Sequence, residues 1–568
     1  MNSETTYDVA IVGGGPAGST TGTLLKKYDP SLRVLILERE RFPRDHVGES
    51  QLPGISRILD EMGVWDAVER AGFPIKVGAT YLWGRSKELW DFDFMPTRFV
   101  TDEPRPARYE GQRRHLAFQV DRAVYDDILL RHAEILGCEV REETPVRRVL
   151  AHDDRIDGLV LESGEVVRAA EYLDCSGGAG ILRRALNVAT NSPTALQNVA
   201  MWDYWRNADW AEEIGVGGTR VQVMSVGYGW VWFIPLGTDR TSVGLVVPKA
   251  YLKACGLPPR ALYAKALDEQ ARVRGLMRNA TNEGRFATTR DWSFVAQQMT
   301  GANWMLVGES AGFADPILAA GMTITHAAAR EAAYTILESR RGGDGSWLKA
   351  HYAERQAKHL RTHIRFADYW YTANAQFTDL QAHTADIARE NGLDLSPERA
   401  WAWLAQGGFI DSEDGVSVAT FSPEAMVALG RRLSDLPAER VIEGNNVFRL
   451  HLEGAAWRER PTYDKGRVHR IQTLEREGKV WPMNFPFDLI HEALGESERL
   501  VDLLARFRAA IAAAPPGERG GLGFRIMLSF ETLVRDGWIV ASYDPDQPLM
   551  KPYEVVEMVH DHREAVPA

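Results

Sequence analysis

The segment that most restricts the fold runs from Tyr7 to Glu38. Residues 7–12 (YDVAIV) are apolar and β-branched, as a short buried strand requires. Gly13-Gly14-Gly15-Pro16-Ala17-Gly18 follows, then a helical stretch over 19–27 and a second buried strand over 32–37, ending in Glu38. This is a βαβ unit with GxGxxG at the strand-to-helix turn and an acid 20 residues after Gly18. The glycines have separate tasks: a tight turn, close approach of backbone to a pyrophosphate, and close helix–strand packing. The helix N-terminus turns its unpaired N–H groups toward the phosphates. Glu38 can accept from ribose hydroxyls. The spacing therefore predicts a dinucleotide site at Gly13, Gly15, Pro16, Ala17, Gly18 and Glu38.

The remaining chain is long enough for more than this unit. At roughly 100–200 residues per domain, 568 residues suggest three or four domain-sized pieces. Apolar residues at 45% and charged residues at 25% exclude a disordered chain, a collagen-like fibre and a coiled coil. A net charge of −12 argues against a nucleic-acid or anionic-membrane partner. No apolar run reaches the ~20 residues of a membrane span. The first residues carry no basic region or signal-peptide core, and Cys138, Cys175 and Cys255 form no disulfide framework, so a cytoplasmic location is expected.

Periodicity sketches the rest. A helix is expected over 122–135, a β-meander over 138–174, strands over 197–248, a helix at about 259–278, a buried strand over 304–307 and a long helix over 321–337. Up to residue 340 this reads as one α/β domain with an inserted antiparallel sheet region, about 75–120 and 185–290. Residues 341–568 read as a mainly helical C-terminal region, with helical periodicity at 345–390, 423–433 and 494–513. A loop is expected at 512–523 (AAAPPGERGGLG) and a strand at 538–543.

No second GxGxxG follows a strand; Gly342-Gly343-Asp344-Gly345 follows an arginine-rich helix end. One flavin without a built-in nicotinamide site is the simpler reading, so reducing equivalents come from outside. The second conspicuous segment is Trp230-Val231-Trp232-Phe233-Ile234-Pro235. As a strand it puts Trp230 and Trp232 on one face and Val231 and Phe233 on the other, and Pro235 ends the ladder.

WxWxIP together with the N-terminal GxGxxG resembles the signature pair of flavin-dependent halogenases, in the para-hydroxybenzoate-hydroxylase-like FAD superfamily. The resemblance covers about residues 7–340. It includes Phe42-Pro43-Arg44, Val47-Gly48-Glu49-Ser50, Gln119-Val120-Asp121-Arg122 with Tyr125-Asp126, Asp174-Cys175-Ser176-Gly177, Asp291-Trp292-Ser293-Phe294, and Gly308 through Gly321 (GESAGFADPILAAG). It implies a Rossmann-like FAD-binding domain with an inserted sheet. It also implies flavin contacts from Arg39, Arg44, Ser50, Gln119, Arg122, Asp291, Gly308, Glu309, Asp315 and Pro316.

The activity implied is FADH2-dependent halogenation. Reduced FAD and O2 give a C4a-hydroperoxide, chloride or bromide attacks it, and hypohalous acid passes through a tunnel to a lysine. Lys76, within the family-like FPIKVGATYLWG segment, is the candidate catalytic residue; its neighbours are apolar on both strand parities. Burial would lower its pKa. The Trp230/Trp232 face, ended by Pro235, would keep substrate from the flavin. Backbone N–H groups of Ala320 and Gly321, at a helix start, would hold the halide. A separate flavin reductase is the implied partner.

Departures from the family pattern also count. Leu318 stands where tryptophan halogenases carry a catalytic glutamate, which disfavours free tryptophan or indole. Glu309 replaces an aspartate. The layout is nearest the chloramphenicol-type and carrier-linked branch, with a phenol, pyrrole or activated acyl group as substrate, free or bound to a carrier protein. His46, His115 and His326 are isolated, and no metal is expected. Glu49 orients the flavin or braces a turn. Phe366, Tyr369, Trp370 and Tyr371 read as a helix packing stripe, with pocket lining as the alternative. The competing readings are an FAD hydroxylase or reductase of the same superfamily and a non-catalytic FAD scaffold.

Overall fold

The computed structural model describes residues 6–215, 217–391, 441–514, 519–549 and 559–561. The chain divides into two compact units, one of Met1–Leu393 with Lys465–Arg467 and Met558–Ala568, the other of Asp394–Asp464 with Val468–Glu557.

The first unit is built on two large sheets, with a third of three short strands, Thr190–Asn191, Phe294–Ala296 and Gly312–Phe313. The strands used below are β1 (Thr6–Val12), β2 (Val34–Leu37), β3 (Ile75–Leu82), β4 (Trp90–Asp93), β5 (Glu139–Arg141), β6 (Val146–His152), β7 (Arg155–Leu161) and β8 (Val166–Asp174). They continue with β9 (Gln197–Arg206), β10 (Gly218–Val226), β11 (Gly229–Pro235), β12 (Arg240–Pro248), β13 (Ala287–Trp292) and β14 (Trp304–Leu306). The first sheet runs β5-β2-β1-β8-β7-β6, with β14 added on β8. β1 pairs parallel with both β2 and β8, which is the doubly wound arrangement expected from the N-terminal motif. Helix α1 (Pro16–Tyr28) connects β1 to β2, α2 (Arg122–Ile135) covers the same region, and α3 (Gly321–Arg340) packs on α1.

The second sheet runs β9-β12-β11-β10-β3-β4, with β13 also paired to β9. It is antiparallel as expected except at one seam, where β10 and β3 are parallel. These strands come from distant stretches of chain, which only a long crossover can join in parallel. Val231, Phe233, Val243 and Leu245 point to one face, into a core with Leu262, Ala266 and Val273. The first unit continues past residue 340, through helices α4 (Gly345–Thr372) and α5 (Gln381–Asn391), because α4 packs on α3.

The second unit joins helices Phe487–Glu496, Leu500–Ala513 and Arg519–Arg535 to strands Val447–Leu450 and Ile539–Ser542. Phe448, Trp481, Phe530 and Trp538 centre its core. The loop expected at 512–523 is shorter. Ala512 and Ala513 end one helix and Arg519 begins the next, despite its glycines. Burial of Leu522, Ile526 and Phe530 outweighs roughly 1 kcal/mol per helical glycine. The helix expected at 423–433 lies outside the described residues.

Candidate active site

The N-terminal turn holds its shape because side chains do not fit there. Gly13 has φ +108, and a Cβ on it would lie 2.3 Å from the Cys175 carbonyl oxygen. A Cβ on Gly18 would lie 1.9 Å from the Gly13 carbonyl oxygen. Helix α1 then starts at Pro16, with Gly15 before it and no side chain capping its N-terminus. These N–H groups open into a cavity of about 320 Å³. Its walls include Gly13, Gly15, Pro16, Ala17, Glu38, Arg39, Arg44, Arg122, Cys175 and Glu309. Glu38 accepts the Gly14 N–H at 2.7 Å and the Glu40 N–H at 2.9 Å, so its carboxylate lies at the end of β2 beside the turn. A glycine cradle, an uncapped helix start, guanidinium groups and an acid at the strand end fit an adenine dinucleotide.

The positive side of this cavity depends on one carboxylate. Asp121 caps α2 by accepting the Ala123 N–H at 3.0 Å. One turn later, Asp126 receives Arg122 at both oxygens, 2.7 and 2.8 Å, and Arg44 at 3.1 Å. Arg122 also donates to the Val47 and Gly48 carbonyls at 3.0 and 3.1 Å. Burial works against both charges, but their attraction prevails: Asp126 is held below the usual carboxylate range and Arg122 stays charged. The Asp126 role was not assigned from sequence, though its i,i+4 spacing from Arg122 was the available signal. Glu309 is pushed up by burial, with Arg122 opposing. Burial also raises the Cys175 thiol, which stays protonated and is a poor nucleophile.

Gly18, Ser50, Gln119, Gly308, Asp315 and Pro316 are not among these wall residues, although Val307 and Glu309, on either side of Gly308 in the chain, are. Ser50 and Gln119 form an antiparallel bridge. Gly308 opens a short turn at φ +67. Asp315 caps the turn Pro316–Leu318, accepting the Ile317 N–H at 2.9 Å. The backbone of Asp291 lies in β13 opposite Asn198, and its side chain is outside the described residues.

Lys76 is 3% exposed. Its Nζ donates to the Gln51 carbonyl at 2.9 Å and lies 5.3 Å from the Phe94 ring centre. No carboxylate among the described residues pairs with it. Burial alone lowers its pKa to about 7. Its direction is set by a bulge. Lys76 lies opposite Thr219 and Gly78 opposite Arg220, so Val77 is an extra residue in β3. Thr219 shares a face of β10 with Val223, and Val223 lies between Tyr81 and Trp232. Lys76 therefore shares a sheet face with Tyr81, Trp230 and Trp232. Simple alternation along β3 would have put Lys76 and Tyr81 on opposite faces.

On that face Trp230 and Trp232 are buried, with ring centres 6.0 Å apart. Trp232 lies over Gly244, where a Cβ would come within 2.1 Å of the indole, and donates to Ser242 Oγ at 3.1 Å. Pro235 ends β11 opposite Thr241. Trp83, Trp370, Tyr371 and Phe377 extend the aromatic surface. The stripe on α4 is thus both packing and a wall of the Trp230 face. Glu49 accepts from Tyr204 OH at 3.0 Å and is pushed up by burial. His326 lies between Thr20 and Tyr125, 2.9 Å from each, as a core histidine. Ala320 and Gly321 start α3, and no acceptor among the described residues takes either N–H. Leu318 is buried beside them in the chain.

The family described as Tryptophan halogenase matches residues 8–104 and 97–381. The chain is 33% identical over 337 residues to a tryptophan 2-halogenase of Chondromyces crocatus, covering 58% of this chain and 60% of that protein. It is 29% identical over 386 residues to a 1H-pyrrole-2-carbonyl peptidyl-carrier-protein chlorinase of Pseudomonas fluorescens, covering 66% of this chain and 85% of the relative. The crystal structure of CmlS, a flavin-dependent halogenase, is similar with a TM-score of 0.71 and 25% identity, over 98% of this chain and 99% of that one. The family match takes in the glycine cradle, the lysine strand, the tryptophan strand and α3, and on that extent the chain belongs to the tryptophan-halogenase family of flavin-dependent halogenases.

Proposed function

We propose that this protein is an FADH2-dependent halogenase of an electron-rich substrate. The observation that carries the reading is Lys76: a buried lysine that no carboxylate among the described residues pairs with, on the same sheet face as Trp230 and Trp232. Gly13, Gly15, Pro16, Ala17 and Gly18 would cradle the FAD pyrophosphate, Glu38 the ribose, and Arg39, Arg44 and Arg122 the polar edge. Glu309 lines the same cavity, and Ser50, Gln119, Asp291, Gly308, Asp315 and Pro316, which do not, would meet the parts of the flavin beyond it, a reading that rests on the family match. When bound in reduced form, FAD would supply the two electrons with which O2, as the oxidant, converts chloride or bromide to hypohalous acid, the second oxygen leaving as water.

The chain's own residues do the rest. The N–H groups of Ala320 and Gly321, which no acceptor among the described residues takes, bind the halide. Trp230, Trp232 and Pro235 exclude substrate from the flavin side. Lys76, titrating near neutrality, receives the hypohalous acid at Nζ and presents the halogen to an electron-rich carbon. A separate flavin reductase supplies FADH2, and none of the helices described is long and apolar enough to cross a membrane. The substrate is a pyrrole, phenol or enolisable acyl group, free or carrier-bound. Relatives named for pyrrole-2-carbonyl carriers support the pyrrole case. The tryptophan 2-halogenase relative supports a second reading, an indole, despite Leu318.

The test combines the protein with a flavin reductase, NADH, halide and monochlorodimedone, then adds pyrrole, phenol and indole substrates, free and carrier-loaded. Halogenated product is expected from wild type. Lys76→Ala is expected to keep hypohalous acid output to the scavenger while losing product. Stoichiometric hydroxylation without halogenation would identify an FAD hydroxylase instead.

A further inference from the structure

One hydroxyl joins the tryptophan face to the turn before the halide amides. Tyr371, near the end of α4, has its OH 2.7 Å from Trp230 Nε1, 3.3 Å from Asn198 Nδ2 and 3.2 Å from Asp315 Oδ1. All four residues are buried. A tyrosine hydroxyl has one proton to give and two lone pairs. An indole N–H and an amide N–H can only donate. The lone pairs are therefore taken by Trp230 and Asn198, and the single proton goes to Asp315. The same Oδ1 of Asp315 accepts the Ile317 N–H at 2.9 Å, and Asn198 Nδ2 reaches Oδ2 at 3.2 Å. Asp315 thereby fixes the turn Pro316–Leu318, from which the chain passes through Ala319, at φ +54, to Ala320 and Gly321.

We infer that Tyr371 is a positioning residue for halogenation, holding the Trp230 ring and the Asp315 turn in one register so that the tryptophan face and the amides of Ala320 and Gly321 keep a constant separation. The inference rests on the proposed function, because it assumes that those amides bind the halide. It extends that reading to α4, outside the motif-bearing stretch that ends near residue 340. The hydroxyl touches neither amide. It acts through Asp315 on one side and Trp230 on the other.

Tyr371→Phe removes the junction and keeps the ring. Full-length enzyme with reductase, NADH and chloride or bromide is assayed for monochlorodimedone halogenation and for flavin reoxidation. Of the three hydrogen bonds lost, the one to Asp315 bears on the halide amides, and its loss predicts a rise of about three- to tenfold in the halide KM, with flavin reoxidation kcat unchanged. Less scavenger is halogenated per O2 consumed. Trp230→Phe removes one donor from the junction, and adding Tyr371→Phe to it causes less than the product of the two separate losses. If Tyr371→Phe does not fold, Asn198→Ala, which removes another donor, carries the same KM shift. An unchanged halide KM, or losses that multiply independently, overturns the role of Tyr371 while leaving the halogenase reading intact. A wild-type enzyme that halogenates nothing overturns both.

Discussion

Two buried cations on this molecule are handled in opposite ways. Arg122 lines the cavity at the N-terminal glycine turn with both oxygens of Asp126 on its guanidinium, and the same carboxylate holds Arg44. Lys76 lies on the inserted sheet with a backbone carbonyl and an aromatic ring as company. The arginine keeps its charge, and the lysine sits near neutrality at about 7. Pairing makes a permanent charge suited to holding an anionic cofactor. Burial with no counter-charge among the described residues makes a group that exchanges protons near neutral pH.

The comparison breaks first at Lys76. Lys76→Met is expected to cut product formation by roughly 10²- to 10⁴-fold in a product-based halogenation assay, the range for losing a positioned proton-transfer group. The same substitution should stabilise the fold. The folded pKa lies below the unfolded value of 10.5, so wild-type stability is lost as pH falls from 10.5 toward about 7 and is constant below. The gain of Lys76→Met over wild type in urea titrations is therefore greatest at pH 7 and below, on the order of 4 kcal/mol, and vanishes above 10.5. A gain that does not vary with pH would show that the lysine is not desolvated.

Asp126→Ala tests the paired cation. It leaves Arg122 buried without its counter-charge, and about 3–5 kcal/mol of stability is expected to go, together with FAD retention on gel filtration. The opposite signs of the Lys76 and Asp126 substitutions are the sharpest form of the comparison. Gly244→Ala places a methyl where the Trp232 ring lies and should cost about 1–3 kcal/mol by thermal denaturation, with hydroxylated by-product rising as the ring is displaced. Glu38→Gln has the smallest effect. It keeps the shape but weakens the acceptor at the Gly14 N–H, costing about 1 kcal/mol in FAD affinity by fluorescence titration.

Much of the cavity was legible from residue order. The β1-α1-β2 unit, its glycines and Glu38 follow from short-range geometry, and helix Arg122–Ile135 has the bounds its periodicity predicts. The shared face of Trp230 and Trp232 follows from the two-residue period of a strand. The Asp126 pairing was half visible, since Arg122 is local but Arg44 is 82 residues away. The Tyr371 junction was not visible, because its partners Asn198, Trp230 and Asp315 meet only through three separate elements. The start of helix Arg519–Arg535 reads as loop in the sequence, because its glycines oppose a helix locally, and a core of Ile526 and Phe530 overrides them.

The sequence alone determined which residues can turn without side chains, which strands are buried, and which tryptophans share a face. All of these depend on near neighbours and fixed backbone periods. The direction of Lys76 was decided by tertiary structure. An extra residue at Val77 against β10 reverses the alternation of β3 at that point and brings the lysine to the tryptophan side. A bulge is a relation between two strands, and β10 comes from a stretch of chain more than a hundred residues later. Its consequence appears only once they are paired.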